Sequence, residues 1–444
     1  MIAKARRKKQ AASPKSRKPH TGPKRVRARR TLRVPITNIH SGSDYTARIL
    51  VGSQKVAANL ILDTGSSTLA VVPSVYTVYK AKEDTDKRPS SLAQRVKYGT
   101  GEWLGPVINT SLMLGDPAGE VARLKSAPIA ITMSESKGDF TGVDGIVGLA
   151  YRGLNAAVDL RRHLTKQKVS PPVTYPWPFE AGDFATRWNH FAKLVASRDA
   201  FHASIEPYFT ELASHGLVMN KFAFYTLRSW VRVASRKPAA VARDPQNQGY
   251  FVLGGGEEQR SLYSGTFKKV AVVHDVYYNT DLLAVQVDGC PAVKAGRLQG
   301  QFRSGSISNS IVDSGTNVLV LANDVCQGVI ESLAKLNPQF IGLIQRAGEG
   351  SVPSSSVKLA EWPRINFFLK GPSGKPVKLT CLPENYWQDQ HPAPGQSVFQ
   401  IRPAGNPVNQ SVLGLPLMNN YFTVFDRSLG AGHGVIKFAT IKRR

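Results

Sequence analysis

A chain of 444 residues, 42% hydrophobic, with 38 Gly and 28 Pro, is long enough for two or three domains with sizeable cores. This excludes a collagen-like, coiled-coil or largely disordered protein, and no run of about 18 apolar residues predicts a transmembrane helix. Lys and Arg number 58 against 31 Asp and Glu, a net charge of +27, and three cysteines with no C-x-x-C pair supply neither a disulfide framework nor a zinc site. Their odd number favours free thiols, with one bridge, such as Cys326 to Cys381, left open.

In chain order, residues 1–31 come first. Thirteen of the cations lie within residues 1–30, and the first carboxylate is Asp44. With hardly any large apolar side chain, this segment reads as a disordered basic tail. It lacks the apolar stretch of a secretory signal. Its uses divide between solubilisation, targeting, and phosphate neutralisation on nucleic acid or another anionic surface. From Thr31 the pattern changes to short β-branched and apolar runs punctuated by Gly, Asp, Asn and Pro: Tyr45–Val51, Val56–Leu62, Leu69–Val72, Val107–Leu114 and Ala127–Thr132. This predicts a β lobe over residues 32–218. A helical insertion at about 155–218 interrupts it, where Trp188, Phe191 and Val195, then Ile205, Phe209 and Leu212, recur at helical spacing. The β pattern returns over 219–444, at Phe222–Leu227, Tyr250–Leu253, Lys268–Val273, Leu282–Val287, Ile311–Leu321, Ile365–Leu369, Phe422–Phe425 and Val435–Phe438. A helix at about 323–336 places Val325, Val329, Leu333 and Leu336 on one face.

Two segments about 250 residues apart repeat one pattern, once in each β stretch. Leu60-Ile61-Leu62-Asp63-Thr64-Gly65-Ser66-Ser67 matches Ser310-Ile311-Val312-Asp313-Ser314-Gly315-Thr316-Asn317: an apolar strand, Asp, a hydroxyl, Gly, a hydroxyl. One Asp-Thr/Ser-Gly alone is a strand ending in an Asx turn; two with matching lead-ins, one per lobe, point to paired chemistry. Two carboxylates brought face to face share a proton. The ionised one then accepts a proton from water and the protonated one donates to a substrate carbonyl. Gly65 and Gly315 allow close backbone approach. Thr64 and Ser314 can lock the two loops by hydroxyl-to-backbone hydrogen bonds, and Ser66 and Thr316 can each orient the neighbouring Asp.

On these residues the chain resembles a pepsin-like aspartic endopeptidase over most of residues 32–440. Tyr98-Gly99-Thr100-Gly101 matches the flap that closes over bound peptide in that family, with Tyr98 as its tip aromatic. Asp144-Gly145-Ile146-Val147-Gly148-Leu149-Ala150 matches the segment backing the first catalytic loop. Ser411-Val412-Leu413-Gly414 and Tyr421-Phe422-Thr423-Val424-Phe425-Asp426 match the equivalent region near the C-terminus. The resemblance implies a mostly β, bilobal fold of two pseudo-symmetric lobes, Asp63 and Asp313 as catalytic residues, an extended polypeptide substrate, and no metal, nucleotide or other cofactor. A monomer is expected.

Three departures stand out. Ala70 occupies the position where most pepsin-like chains carry a Trp that pairs with the flap tyrosine. The beta-secretase branch is similar in this and supplies a Trp from the flap, a part for which Trp103 is placed. The insertion has no assigned role. The scarcity of cysteine, with no secretory signal read, points to a reducing compartment, the cytoplasm. The alternatives from other classes are a non-catalytic peptide-binding homologue and a nucleic-acid-associated protein using the tail. No H-E-x-x-H or G-x-S-x-G pattern supports metallopeptidase or serine hydrolase chemistry.

Overall fold

The computed structural model describes residues 31–76, 82–97, 101–115, 120–135, 140–176, 184–197, 201–405 and 407–443. The basic tail through residue 30 and the flap residues Tyr98, Gly99 and Thr100 lie outside them.

The first half is built from β1 (Leu32–Thr37), β2 (Thr46–Val51), β3 (Val56–Asp63), β4 (Leu69–Val71), β5 (Arg88–Lys97), β6 (Glu102–Gly115), β7 (Val121–Ile131) and β8 (Gly145–Gly148). In β1 the period-2 pattern is plain: Leu32, Val34 and Ile36 are buried and Arg33 and Pro35 exposed. The last four residues of β3 are all buried, as suits a strand covered on both faces. Next come β9 (Ala156–Asp159), α1 (Arg161–Lys166), α2 (Phe184–Ala196), β10 (Phe201–Ser204) and α3 (Tyr208–Ser214). The expected second insertion helix therefore starts later than Ile205, which follows an extended strand. Pro207, with ψ at 145°, keeps the chain before it out of the helical region.

The second half contains β11 (Lys221–Tyr225), β12 (Gln248–Leu253), β13 (Tyr263–Ala271), β14 (Leu282–Val287), β15 (Ser310–Val312), β16 (Leu319–Leu321), α4 (Asn323–Leu336), α5 (Gln339–Gly348), β17 (Ile365–Lys370), β18 (Pro376–Cys381), β19 (Ser411–Leu413), β20 (Tyr421–Asp426) and β21 (Val435–Ile441). The run Ile311–Leu321 is two strands rather than one, because residues 313–318 turn between them.

One sheet of sixteen strands runs through both halves in the order β10-β9-β5-β6-β7-β4-β8-β3-β2-β1-β12-β11-β20-β21-β13, with the short strand Ser134–Glu135 attached to β6. A further pairing of β2 with β6 curls the first half into a barrel. The join between halves is β1, antiparallel to β12 from Leu32↔Leu253 to Thr37↔Gln248. Beneath it lies an aromatic layer in which Phe222 stacks on Phe425 with ring centroids 5.1 Å apart. Smaller sheets complete the second half, one of them joining β15, β19 and β16. Cys290, Cys326 and Cys381 are buried free thiols. No helix among the described residues is long and apolar enough to cross a membrane.

Candidate active site

The repeated sequence pattern becomes a repeated structure. In the first half β3 runs parallel to β8, with Leu60↔Gly145 through Asp63↔Gly148, and β4 lies antiparallel to β8 on its other side. In the second half β15 runs parallel to β19, with Ser310↔Ser411 through Val312↔Leu413, and β16 lies antiparallel to β19. Each aspartate thus leaves the end of a buried central strand and enters a turn. The backing segments hold those turns: Leu149 N–H donates to Asp63 O (2.6 Å) and Ala150 N–H to Ser66 O (2.7 Å), while Leu415 N–H donates to Thr316 O (2.8 Å).

The two turns are bolted to each other reciprocally. Thr64 Oγ1 donates to Val312 O (3.1 Å) and accepts from Ser314 N–H (2.8 Å); Ser314 Oγ donates to Leu62 O (2.7 Å) and accepts from Thr64 N–H (3.0 Å). Each hydroxyl donates once and accepts once, and all four bonds are buried. The polar groups of both turns are thereby satisfied where the halves meet.

The carboxyls are oriented in the same twofold manner. Asp63 Oδ1 accepts from Gly65 N–H (2.7 Å) and Oδ2 from the Ser66 hydroxyl (2.5 Å). Asp313 Oδ1 accepts from Gly315 N–H (2.9 Å) and Oδ2 from the Thr316 hydroxyl (2.7 Å). Asp63 is 6% exposed and Asp313 8%. The glycines make the close approach sterically possible. A Cβ on Gly65 would lie 2.7 Å from the Asp313 carboxyl carbon and both its oxygens, and one on Gly315 would lie 2.4 Å from Asp63 Oδ1.

Burial first, then the charge of Asp313, pushes the Asp63 carboxyl well above the usual carboxylate range, with the Ser66 hydroxyl pulling the other way. Such a pair can hold one proton and use it, one member as base and the other as acid.

Gly101 leads into β6, the returning strand of the hairpin formed with β5, whose tip lies outside the described residues. Trp103, in that strand opposite Val96, is 1% exposed and packs in an apolar cluster with Ile61, Ala70 and Ile146. Ala70 and Trp103 thus share one core.

Two groups whose titration responds to the pair carried no sequence signal. Asp44, just ahead of β2, is pushed up to about 7 by burial, with Asp313's charge adding to this and the Ser43 hydroxyl opposing it; its Oδ1 has no hydrogen-bond partner among the described residues. Tyr277 is raised by burial and then by the charges of Asp313 and Asp63. Both couple to the pair only through tertiary folding. Among the described residues no group of three or more His, Cys, Asp or Glu side chains is arranged to hold a metal ion.

The family model "Eukaryotic aspartyl protease" matches residues 44–171 and 214–439, and the chain belongs to this family of pepsin-like aspartyl proteases. Cathepsin E of Aquarana catesbeiana is 26% identical over 414 residues, covering 90% of this chain and 79% of that protein. Beta-secretase of Strongylocentrotus purpuratus is 21% identical over 405 residues, covering 87% of this chain and 65% of its own length. The internal segment left unmatched by the family model, 172–213, contains α2, β10 and most of α3.

Proposed function

We propose that this chain is an aspartic endopeptidase that hydrolyses a peptide bond of an extended polypeptide laid between its lobes, with Asp63 and Asp313 as the catalytic pair. The observation that carries the reading is the twofold arrangement of the two carboxyls, each held by a glycine N–H and a hydroxyl and each given room by the opposite glycine. In this reading the ionised carboxylate takes a proton from a water held between the pair. The resulting hydroxide attacks the scissile carbonyl carbon while the protonated carboxyl donates to its oxygen. Collapse of the tetrahedral diol breaks the C–N bond as the leaving nitrogen is protonated, and the pair again holds one proton. A polypeptide substrate is what membership of the aspartyl protease family supports, and hydrogen bonds to an extended main chain need no particular side chain.

The test is hydrolysis of denatured globin or a peptide library between pH 3 and 9, with and without a statine-type inhibitor. The expected profile is bell-shaped with its maximum on the acid side. With both carboxyls protonated there is no base, and with both ionised there is no acid. Because Asp63 holds its proton above the usual range, the alkaline limb should lie above about pH 4, the ordinary carboxyl value. A flat profile to pH 9, or activity untouched by the inhibitor, overturns the reading.

Trp103 supports the flap in this scheme. Trp103→Phe keeps an aromatic ring in the cluster but removes the indole N–H, which the resemblance implies donates to the hydroxyl of Tyr98, a residue outside those described; such a hydrogen bond is worth about 0.5–1.5 kcal/mol. We expect kcat/KM to fall a few-fold to about tenfold, with Tm lowered by only a few degrees. Parent-like cleavage by the variant would reduce Trp103 to a packing residue.

A further inference from the structure

The flap stem, β5 and β6, is covered on both faces. Toward the lobe interior Val96 and Trp103 join the cluster around Ile61 and Ala70. On the outer face Ala93 and Leu104 belong to a second, separate apolar cluster, completed by Val158, Leu164, Phe191 and Val195 from the insertion. Phe191 is fully buried there, with Trp188 packed on it at 5.6 Å between ring centroids.

The outer strand of the stem is no free edge either. β9 pairs with it at Val158↔Ala93 and Asp159↔Leu92, and β10 covers β9 in turn. Side chains add tethers: Ser91 Oγ donates to Asp159 Oδ1 (2.6 Å), Gln94 Nε2 to Asn155 Oδ1 (2.8 Å), and Thr174 Oγ1 to Leu92 O (2.6 Å). Thr174, Phe191 and Val195 all lie within 172–213, the stretch outside the family match.

We infer that this insertion is a flap-positioning element: Phe191 and Val195, in one apolar cluster with Ala93 and Leu104, set how the flap stem is held and so how tightly an extended peptide is held. A hairpin fixed on one face can swing by peeling from that face. One gripped on both faces moves only if the second grip moves with it, because parting either apolar layer would open a void that the packed surroundings do not refill. The inference rests on the peptidase reading for its effect on substrate, but not for the grip itself.

The test compares the parent with Phe191→Ala, Phe191→Leu and Val195→Ala by amide hydrogen exchange and by peptide kinetics. Phe191→Ala is expected to speed exchange in Arg88–Lys97 and Glu102–Gly115 by about tenfold or more while Tyr421–Asp426 in the second half is unchanged. KM should rise about fivefold with kcat within about twofold, and the limbs of the pH profile should stay in place because the carboxyl pair is untouched. Phe191→Leu, which restores most of the volume, should return both measurements toward the parent. Val195→Ala, a smaller truncation, should move them the same way by less, and it serves if Phe191→Ala does not fold. Unchanged exchange in the flap stem of a folded variant overturns the inference. So does a uniform rise across both halves, or an unchanged KM beside a loosened stem. Should the parent cleave no peptide, the exchange comparison still decides whether the insertion grips the flap, so the two readings fail separately.

Discussion

Replacing Asp63 or Asp313 by Asn is expected to lower peptide hydrolysis by about a thousandfold or more, because neither carboxyl alone can serve as both acid and base. The fold should survive, and for Asp63→Asn it should become more stable at neutral pH. The sign follows from linkage. The Asp63 carboxyl is raised in the folded state by burial and by Asp313, so between about pH 4 and its folded value the native protein binds the proton that the unfolded chain has lost. Stability contributed by this group is therefore present at low pH and drains away as pH rises through that window. Asn carries no such penalty, so the variant should melt a few degrees above the parent at about pH 7 and level with it below about pH 4. Melting curves at both pH values check this; a variant less stable than the parent at neutral pH contradicts it.

Groups shifted the other way set the acid limit. Glu257 is lowered to about 2 because its bonds to Lys221 and Lys437 outweigh the effect of burial, which alone would raise it. Its contribution is present above its unfolded value of 4.5 and fades only as pH falls toward about 2. This group's contribution is therefore intact down to about pH 4.5 and is lost progressively below it.

Gly65→Ala and Gly315→Ala should be nearly as damaging to activity as loss of a carboxyl, by at least about a hundredfold, for a steric reason alone. Neither glycine has a positive φ, so the backbone itself would accept alanine. The added methyl, however, would stand 2.4 Å from Asp63 Oδ1 in one case and 2.7 Å from the Asp313 carboxyl in the other. Those carboxyls cannot retreat without giving up their hydrogen bonds to a glycine N–H and a hydroxyl. Overpacking of this kind costs about 1–3 kcal/mol, so Tm should drop by several degrees while the protein still folds. Assays of purified, folded variants decide it: retained turnover in either would mean that the pair tolerates separation.

The carboxyl pair and its supports were legible because their chemistry is local. Asp, hydroxyl, Gly and hydroxyl occupy consecutive positions, and an apolar strand leads into each set, so the repeat could be read without a fold. Most strands of the second half were legible for the same reason, being runs of β-branched and aromatic residues, though β18 was missed and Ile311–Leu321 was read as one run. β5 was not, since Arg88–Lys97 is rich in Ser, Gln, Arg and Lys and its burial comes from neighbours distant in sequence. Asp44 and Tyr277 were equally silent: nothing in the residues beside them distinguishes an acid or a phenol that will end near Asp313. The grip on the flap could not be foreseen either, because helical spacing at Trp188, Phe191 and Val195 says that a face is buried but not against what.

The reciprocal bolt between Thr64 and Ser314 has a bearing on when the proposed activity could first arise. The bolt joins turns 250 positions apart, and β1 completes a sheet whose other members extend to Ile441. A nascent chain that has emerged only as far as Asp313 carries both acids yet lacks β19, β20 and β21, which back the second turn and finish the shared sheet. Loop closures of this span come late in folding. The proposed hydrolytic capacity would thus switch on only after the chain has emerged as far as Ile441, which gives the ribosome and its surroundings a period of safety that requires no inhibitor.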